Sequence, residues 1–377
     1  MMSIPGQPIE NNSYLGQGPP GGQGSPEQAR TRIGIIGLGL IGGSMALRLS
    51  TQMEVVGYDI DQNNTTTANR LGIATLPSID DIVSYADVII ISTPIGSFPE
   101  IVQLISSSWQ RLSAQPQSNP PIVVDTCSVK RYIHAWAEQL ANVGIPFIGT
   151  HPMAGKHTNG ITSAQADLFE VHSWAVSITD SIDIAALLKV SSIILSTGSV
   201  VVPADPATHD RSVALVSHLP HVIAAIMSLL LQNDELTAID RSLAAGSFDD
   251  ITRVAGSPPE LTSQMCEANI DMLAASFRQF SAEIEKIGHE LGETQNASAY
   301  LSNLFTEAHQ AYSHLHEYRH GAGNLDSNSI HSAIFALDDT QTFINWMLGL
   351  GRDGGIIVGI SYLDPTEVSI SFVLPPH

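Results

Sequence analysis

The chain has 377 residues, enough for two or more domains, and 43% of them are apolar against only 14% charged, which marks a globular protein with a large core. A formal net charge of −21 excludes nucleic acid as a partner, because a phosphate backbone requires a basic footprint. Two cysteines, Cys127 and Cys266, cannot build a disulfide framework; apolar runs such as 222–231 are too short for a bilayer; and no charged segment followed by an apolar one opens the chain. The reading is a cytoplasmic protein without a membrane partner.

Residues 1–30 are dominated by Gly, Pro, Gln and Asn without apolar periodicity, the composition of a disordered tail. From Arg32 the pattern changes to RIGIIGLGLIGGSMALRLSTQMEVVGYD. A short apolar strand leads into Gly37, Gly39 and Gly42 in G-x-G-x-x-G spacing, then a helix, then a second strand ending on Asp59. Gly37 permits the tight turn, Gly39 lets a pyrophosphate approach the backbone, and Gly42 allows close packing of helix on strand. The helix start at Leu40 and Ile41 offers unpaired N–H groups to phosphate. Asp59 suits the adenosine ribose hydroxyls and repels a 2′-phosphate, and no Arg follows it, so the expected cofactor is NAD.

Strands at 87–92, 122–125 and 146–149 then alternate with helices at 98–112 and 129–143, predicting a parallel, doubly wound (Rossmann) sheet. Ligands sit beyond the carboxyl ends of such strands, which places Thr93, Pro94, Asp125 and Ser128, and Thr150-His151, around the nicotinamide end of the cofactor. A further strand, helix and strand occupy 171–202. After Pro203 the alternation gives way to successive helices. The expected division is an NAD-binding domain over 31–203, a helical substrate and dimerisation domain over 204–325, and a βαββ tail over 332–377 too small to stand alone.

Several polar residues fall where chemistry could occur. His151, at a strand end, could take a proton from a substrate hydroxyl while hydride leaves the same carbon. Ser128 could bond that hydroxyl, orient His151, or cap the helix that follows. Lys130 is open to two readings, a solvated first-turn residue or part of an anion pocket. His218 and His221 share one face of a helix that Pro220 should kink. With no third ligand at a telling spacing, they give no metal site. Arg253 suits bidentate pairing with a carboxylate, or an internal ion pair with Asp249 or Asp250.

Five segments in order, GLGLIGGS, DTCSVK, HPMAGKHTNG, HDRSVALVSHLPH and FDDITRVAGSPPEL, resemble the prephenate/arogenate dehydrogenase family of tyrosine biosynthesis over about residues 32–320. The resemblance implies NAD-linked oxidative decarboxylation of prephenate to 4-hydroxyphenylpyruvate by a homodimer, with arogenate dehydrogenase as the alternative. It implies His151 as the catalytic histidine, Ser128 as its assistant, Arg253 as the ligand of the ring carboxylate, and Lys156 and His221 on the substrate side. A histidine at position 221 favours prephenate. The chain departs from the family where GTEKSG is usual after HPMA, and where Asp249 replaces an Arg. The tail is similar to an incomplete ACT domain, the module through which family members bind tyrosine as a feedback ligand. A β-hydroxyacid or imine reductase shares this pairing of domains but needs a lysine in the helical domain that the chain does not offer. A catalytically inactive NAD-binding regulator is disfavoured because His151 and Arg253 are both present.

Overall fold

The computed structural model describes residues 30–113, 119–156, 158–232, 238–292, 296–323 and 329–375, with side chains of 316–323 excepted. The Gly/Pro-rich segment 1–29, read from composition as a tail, lies outside these residues, as do 376–377. The first eleven elements alternate: β1 (Arg32–Ile36), α1 (Leu40–Leu49), β2 (Glu54–Tyr58), α2 (Gln62–Arg70), β3 (Ala74–Thr75), α3 (Ile79–Tyr85), β4 (Val88–Ile91), α4 (Phe98–Leu112), β5 (Ile122–Asp125), α5 (Arg131–Ala141) and β6 (Phe147–Ile148). The six strands form one parallel sheet in the order β3-β2-β1-β4-β5-β6. Strand order reverses between β1 and β4, which opens the crevice where such sheets bind ligands. Continuous burial along β1 and β4 fits strands covered on both faces.

Gly149 is where the chain leaves this sheet. A Cβ there would sit 2.7 Å from His134 Nε2 and 3.2 Å from the Ser177 side chain, so only glycine lets the backbone pass between α5 and the next strand. The strands β7 (Thr150–Pro152), β8 (Ser173–Ser177) and β9 (Val200–Ala204) follow, with α6 (Ile184–Ser196) between the last two. They do not extend the parallel sheet, as unbroken alternation would predict. They begin a second, mixed sheet.

The helical region comprises α7 (Pro206–Val213), a π-helical turn (Ala214–His218), α8 (Leu219–Leu230), α9 (Ala238–Leu243), α10 (Gly246–Thr252), a 3₁₀ turn (Arg253–Gly256), α11 (Pro259–Ala268), α12 (Ile270–Gly292) and α13 (Ala297–Gly323). Pro220 does not interrupt the helix. The widened turn just before it, with Leu219 N–H bonded to the Ala214 carbonyl, leaves room for a residue that lacks an N–H. The continuous helix Pro206–Leu230 is long and apolar enough to cross a membrane by length and composition alone. It nevertheless carries His209, Asp210 and His218, all buried against the rest of the protein.

The tail forms β10 (His331–Ala336), α14 (Thr340–Arg352), β11 (Ile356–Tyr362) and β12 (Glu367–Val373), the expected βαββ order. It is not a separate module. Ile357 pairs with Val201, and the second sheet runs β10-β12-β11-β9-β8-β7. Phe343, Ile344, Met347 and Leu350 of α14 join the core that also contains Trp174, Leu187 and Val201. A Cβ on Gly351 would fall on the Pro203 carbonyl, so α14 is seated tightly against β9.

Candidate active site

The glycine turn divides its labour as the spacing requires. Gly37 has φ +96°, and a Cβ there would lie 2.5 Å from the Ser92 carbonyl. A Cβ on Gly42 would fall on the Gly37 carbonyl, whereas Gly39 faces open space with nothing within 4 Å. Gly39 is the N-cap of α1 and provides no side-chain cap, so the N–H groups of Leu40 and Ile41 face that space unpaired. Asp59 is half-buried at the end of β2. Its Oδ2 accepts from Leu38 N at 2.7 Å and from Asn64 Nδ2 at 3.2 Å, and its Oδ1 from Asp61 N at 2.8 Å. The carboxylate thereby steadies the turn and keeps lone-pair capacity on Oδ1. This cradle fits a dinucleotide. Thr93 and Pro94 follow β4 beside the turn: a methyl of Thr93 packs against Gly37, while its hydroxyl is buried without a hydrogen-bond partner among the described residues.

Asp125 ends β5 but is not available to a cofactor. It is fully buried, and its oxygens accept from Cys127 N, Thr150 N and Lys130 Nζ. Lys130 is neither solvated nor part of an anion pocket. It is 1% exposed and divides its ammonium between Asp125 and the Thr150 carbonyl. A buried pair is tolerable only when such extra hydrogen bonds complete it. Its effect here is positional, since it clamps the end of β5 to the residue preceding His151.

Nor does Ser128 cap α5. Asp210 does so from the helical region, its Oδ1 accepting from Lys130 N at 2.7 Å and its Oδ2 from Arg131 N at 2.9 Å. Salt bridges from Arg131 to Asp210 and Asp271 lie across the same junction. Ser128 is half-buried on the loop between these anchors, and no hydrogen bond joins it to His151.

His151 is half-buried on β7, paired with Ala175 of β8. Its Nδ1 lies 3.0 Å from His209 Nε2, and His209 Nδ1 lies 2.8 Å from Asp210 Oδ1. The protons in this chain can be assigned. A carboxylate only accepts, so His209 carries its proton on Nδ1 and accepts at Nε2; His151 must then carry its own proton on Nδ1. Nε2 of His151 is then the acceptor atom, and no hydrogen bond reaches its lone pair among the described residues. Burial is the first cause holding its pKa well below the usual histidine value, followed by repulsion from His209, Lys130 and His218 when these carry charge. The imidazole is a neutral base near pH 7.

The helical region carries two further candidates, His221 on α8 and Arg253 after α10. His221 donates Nδ1–H to the Ser217 carbonyl at 2.9 Å and leaves Nε2 free. Arg253 opens the 3₁₀ turn packed on α8, is exposed, and forms no ion pair with Asp249, Asp250 or any other described residue. On α11 the Gln264 side chain lies against Gly96, so the helical region reaches back over the loop after β4. Lys156 is exposed in the loop after β7 and hydrogen-bonds Gln165. That loop also touches α1, with Gln165 N bonded to Ser44 Oγ at 2.9 Å. His209, Asp210 and Asn269 escape a reading of sequence alone. The only local signal is the His-Asp pair inside HDRSV, and its meaning depends on which ring it meets.

Comparison with known proteins places the chain among enzymes of one family. A family model described as prephenate dehydrogenase, nucleotide-binding domain, matches residues 44–203, and one described as prephenate dehydrogenase, dimerization domain, matches 205–307. The prephenate dehydrogenase of Bacillus subtilis (strain 168) is 30% identical over 268 residues, 69% of this chain and 70% of that protein. Among solved structures, prephenate dehydrogenase from A. aeolicus in complex with hydroxyphenyl propionate and NAD+ matches with TM-score 0.65 and 26% identity over 75% of this chain and 99% of that one. Synechocystis arogenate dehydrogenase matches with TM-score 0.61 and 26% identity, over 74% and 100%.

Proposed function

Because the chain belongs to the prephenate dehydrogenase family, we propose that it catalyses the NAD-dependent oxidative decarboxylation of prephenate to 4-hydroxyphenylpyruvate. The observation that carries the reading is the neutral His151 whose Nε2 is left free by the His209–Asp210 chain. NAD, held by Gly37, Gly39, Leu40, Ile41, Gly42 and Asp59, supplies the hydride acceptor.

Each remaining task falls to a residue of the chain. Nε2 of His151 accepts the proton of the ring carbinol as its C–H bond releases hydride. The ring carboxylate then leaves as CO2, and the electron pair of that broken bond aromatises the ring onto the former carbinol oxygen. The His151 imidazolium returns its proton to that oxygen, so no net proton is consumed. Arg253, which forms no ion pair among the described residues, pairs with the ring carboxylate; Lys156 meets the side-chain carboxylate, with His221 beside it on the substrate side. Ser128 bonds the reacting hydroxyl. The Asp59 carboxylate favours NAD over a cofactor bearing a 2′-phosphate.

The working form is a homodimer in this reading. Leu229, Leu230, Ile239, Leu243 and Phe305 are each more than half exposed, more apolar surface than an isolated helical region leaves bare, and a second copy would cover it.

The test follows absorbance at 340 nm with NAD or NADP against prephenate and arogenate separately. NADH formation from prephenate is expected. Preference for arogenate would replace the substrate and keep the mechanism, and silence in all four pairs would overturn the assignment.

A further inference from the structure

Asn269 is fully buried at the start of α12, and its orientation is fixed from both sides. Its Nδ2 stands 2.8 Å from the Asp210 backbone carbonyl, which only accepts, and its Oδ1 faces Arg131 at 3.5 Å, which only donates. The amide nitrogen therefore donates to both of its neighbours, and the second is Nδ1 of His218 at 3.2 Å. His218 accepts at Nδ1, so the neutral ring carries its proton on Nε2.

That Nε2–H is an anomaly. His218 is 0% exposed, and no acceptor meets Nε2 among the described residues. Leaving a buried donor unpaired costs roughly 1–3 kcal/mol, and few native groups are left so. Burial lowers the His218 pKa to about 4, so protonation does not create the donor; the tautomer does. The ring belongs to the cluster around the proposed base: it contributes to lowering the pKa of His151, and is itself influenced by His221, Asp210 and His209. It ends the π-helical turn, a widening often found where a helix carries function. Nδ1 is turned to Asn269, and Nε2, on the opposite edge of the ring, is turned away from it.

We propose that His218, set as an Nε2–H donor by Asn269, hydrogen-bonds an oxygen of the bound substrate, a carboxylate or carbonyl acceptor of prephenate. This rests on the reading given under Proposed function. The donor differs in kind from His221, whose proton is committed to the Ser217 carbonyl and whose Nε2 presents a lone pair when the ring is neutral. His218 offers a neutral hydrogen bond that does not depend on pH above its low pKa. Substrate binding removes the orphaned donor, so the cost of leaving it unpaired in the free protein becomes selectivity for a ligand that carries an oxygen there.

The experiment measures KM for prephenate, kcat, the Kd for NAD and thermal midpoints in the wild type, His218→Phe, His218→Gln and His218→Asn. His218→Phe is expected to raise KM at least tenfold with the NAD Kd unchanged. His218→Gln, whose amide reaches the Nε2 position, is expected to stay within threefold of wild type, and His218→Asn, which reaches only the Nδ1 position, to follow Phe. If His218→Phe does not fold, the Gln and Asn pair makes the same comparison. A KM within twofold of wild type in His218→Phe or His218→Asn overturns the proposal, as does equal impairment of Gln and Asn, which would mean that the donor serves an internal water or packing. Wild-type protein that turns over neither prephenate nor arogenate overturns the functional reading first, and is told apart by the wild-type trace alone.

Discussion

The ring of His209 meets that of His151 edge to face, with planes 72° apart and the two nitrogens 3.0 Å from one another. One ring sits on β7 of the second sheet and the other on α7 of the helical region, so the pair that sets the proposed base forms only when both parts are assembled. Asp210, one residue along, caps α5 of the parallel sheet. The same short segment therefore joins the two regions and sets the tautomer of His151.

His209 is a positioning residue, and its removal should leave a signature in pH. His209→Phe is expected to lower kcat on the order of 100-fold, at the low end of what a positioned base contributes, with KM for NAD unchanged. Because His209 helps to depress the His151 pKa, its loss moves that pKa up toward the ordinary histidine value. The base works when neutral, so the acid limb of kcat/KM, well below 6.5 in the wild type, should shift to higher pH. A pH–rate profile decides. An unmoved acid limb with less than a threefold loss in kcat would remove His209 from the mechanism.

Two glycines three positions apart in the turn, Gly39 and Gly42, should respond in opposite ways. Gly39 faces open space and Gly42 abuts the Gly37 carbonyl. Gly39→Val is expected to fold with a near-native thermal midpoint and to lose NAD binding at least tenfold, because the side chain occupies room needed by the pyrophosphate. Gly42→Ala is expected to lower the midpoint itself. Calorimetric titration of NAD beside thermal melts separates the two, and retained NAD affinity in Gly39→Val would mean that the phosphates lie elsewhere.

The comparison of Asp59 with Asp125 shows what sequence could and could not reveal. Each ends an apolar strand of the parallel sheet, and pattern alone assigns both to the cofactor. Local geometry makes Asp59 legible, because the glycine turn it steadies is adjacent in the motif. Asp125 is claimed by Lys130 and by Thr150, 25 residues away, a contact that spacing does not encode. The second sheet was hidden for the same reason. Its strands are readable from apolar runs, but Ile357 pairs with Val201 across 155 intervening residues, and periodicity names a strand without naming its neighbour. Sequence singles out His151 because it follows a strand of a doubly wound fold, where ligands bind; its hydrogen-bond partner His209, 58 residues on, carries no such signal.

Cofactor choice should follow Asp59. Asp59→Ser removes the charge that disfavours a 2′-phosphate, and the ratio of NAD to NADP efficiency is expected to fall at least tenfold. Part of the loss with NAD comes from releasing the Leu38 N–H that Asp59 holds at 2.7 Å. Initial rates with both cofactors at fixed prephenate measure the ratio, and an unchanged ratio would assign the discrimination to another residue.

Buried neutral histidines should also make the protein sensitive to mild acid. His134 and His218 titrate at about 4, with burial the first cause in each, and His151 and His209 are lowered in the same direction. In the unfolded chain all four titrate near 6.5. Between about pH 4 and 6.5 the unfolded state therefore binds more protons than the folded state, and stability falls as pH falls through that window. Each group contributes at most about 1.4 kcal/mol per pH unit. Above pH 7 both states hold these rings neutral and the effect vanishes. His134 packs edge to face on Phe147 and forms no hydrogen bond to His151 or His209 among the described residues, so it tests the effect without removing either ring. Its Nε2 has no partner among the described residues, so His134→Leu removes a titrating group without breaking a hydrogen bond at that atom. Thermal midpoints from pH 4 to pH 8 should fall steeply on the acid side for the wild type and less steeply for His134→Leu. Parallel curves for the two proteins would mean that His134 gains its proton in the folded state as easily as in the unfolded one.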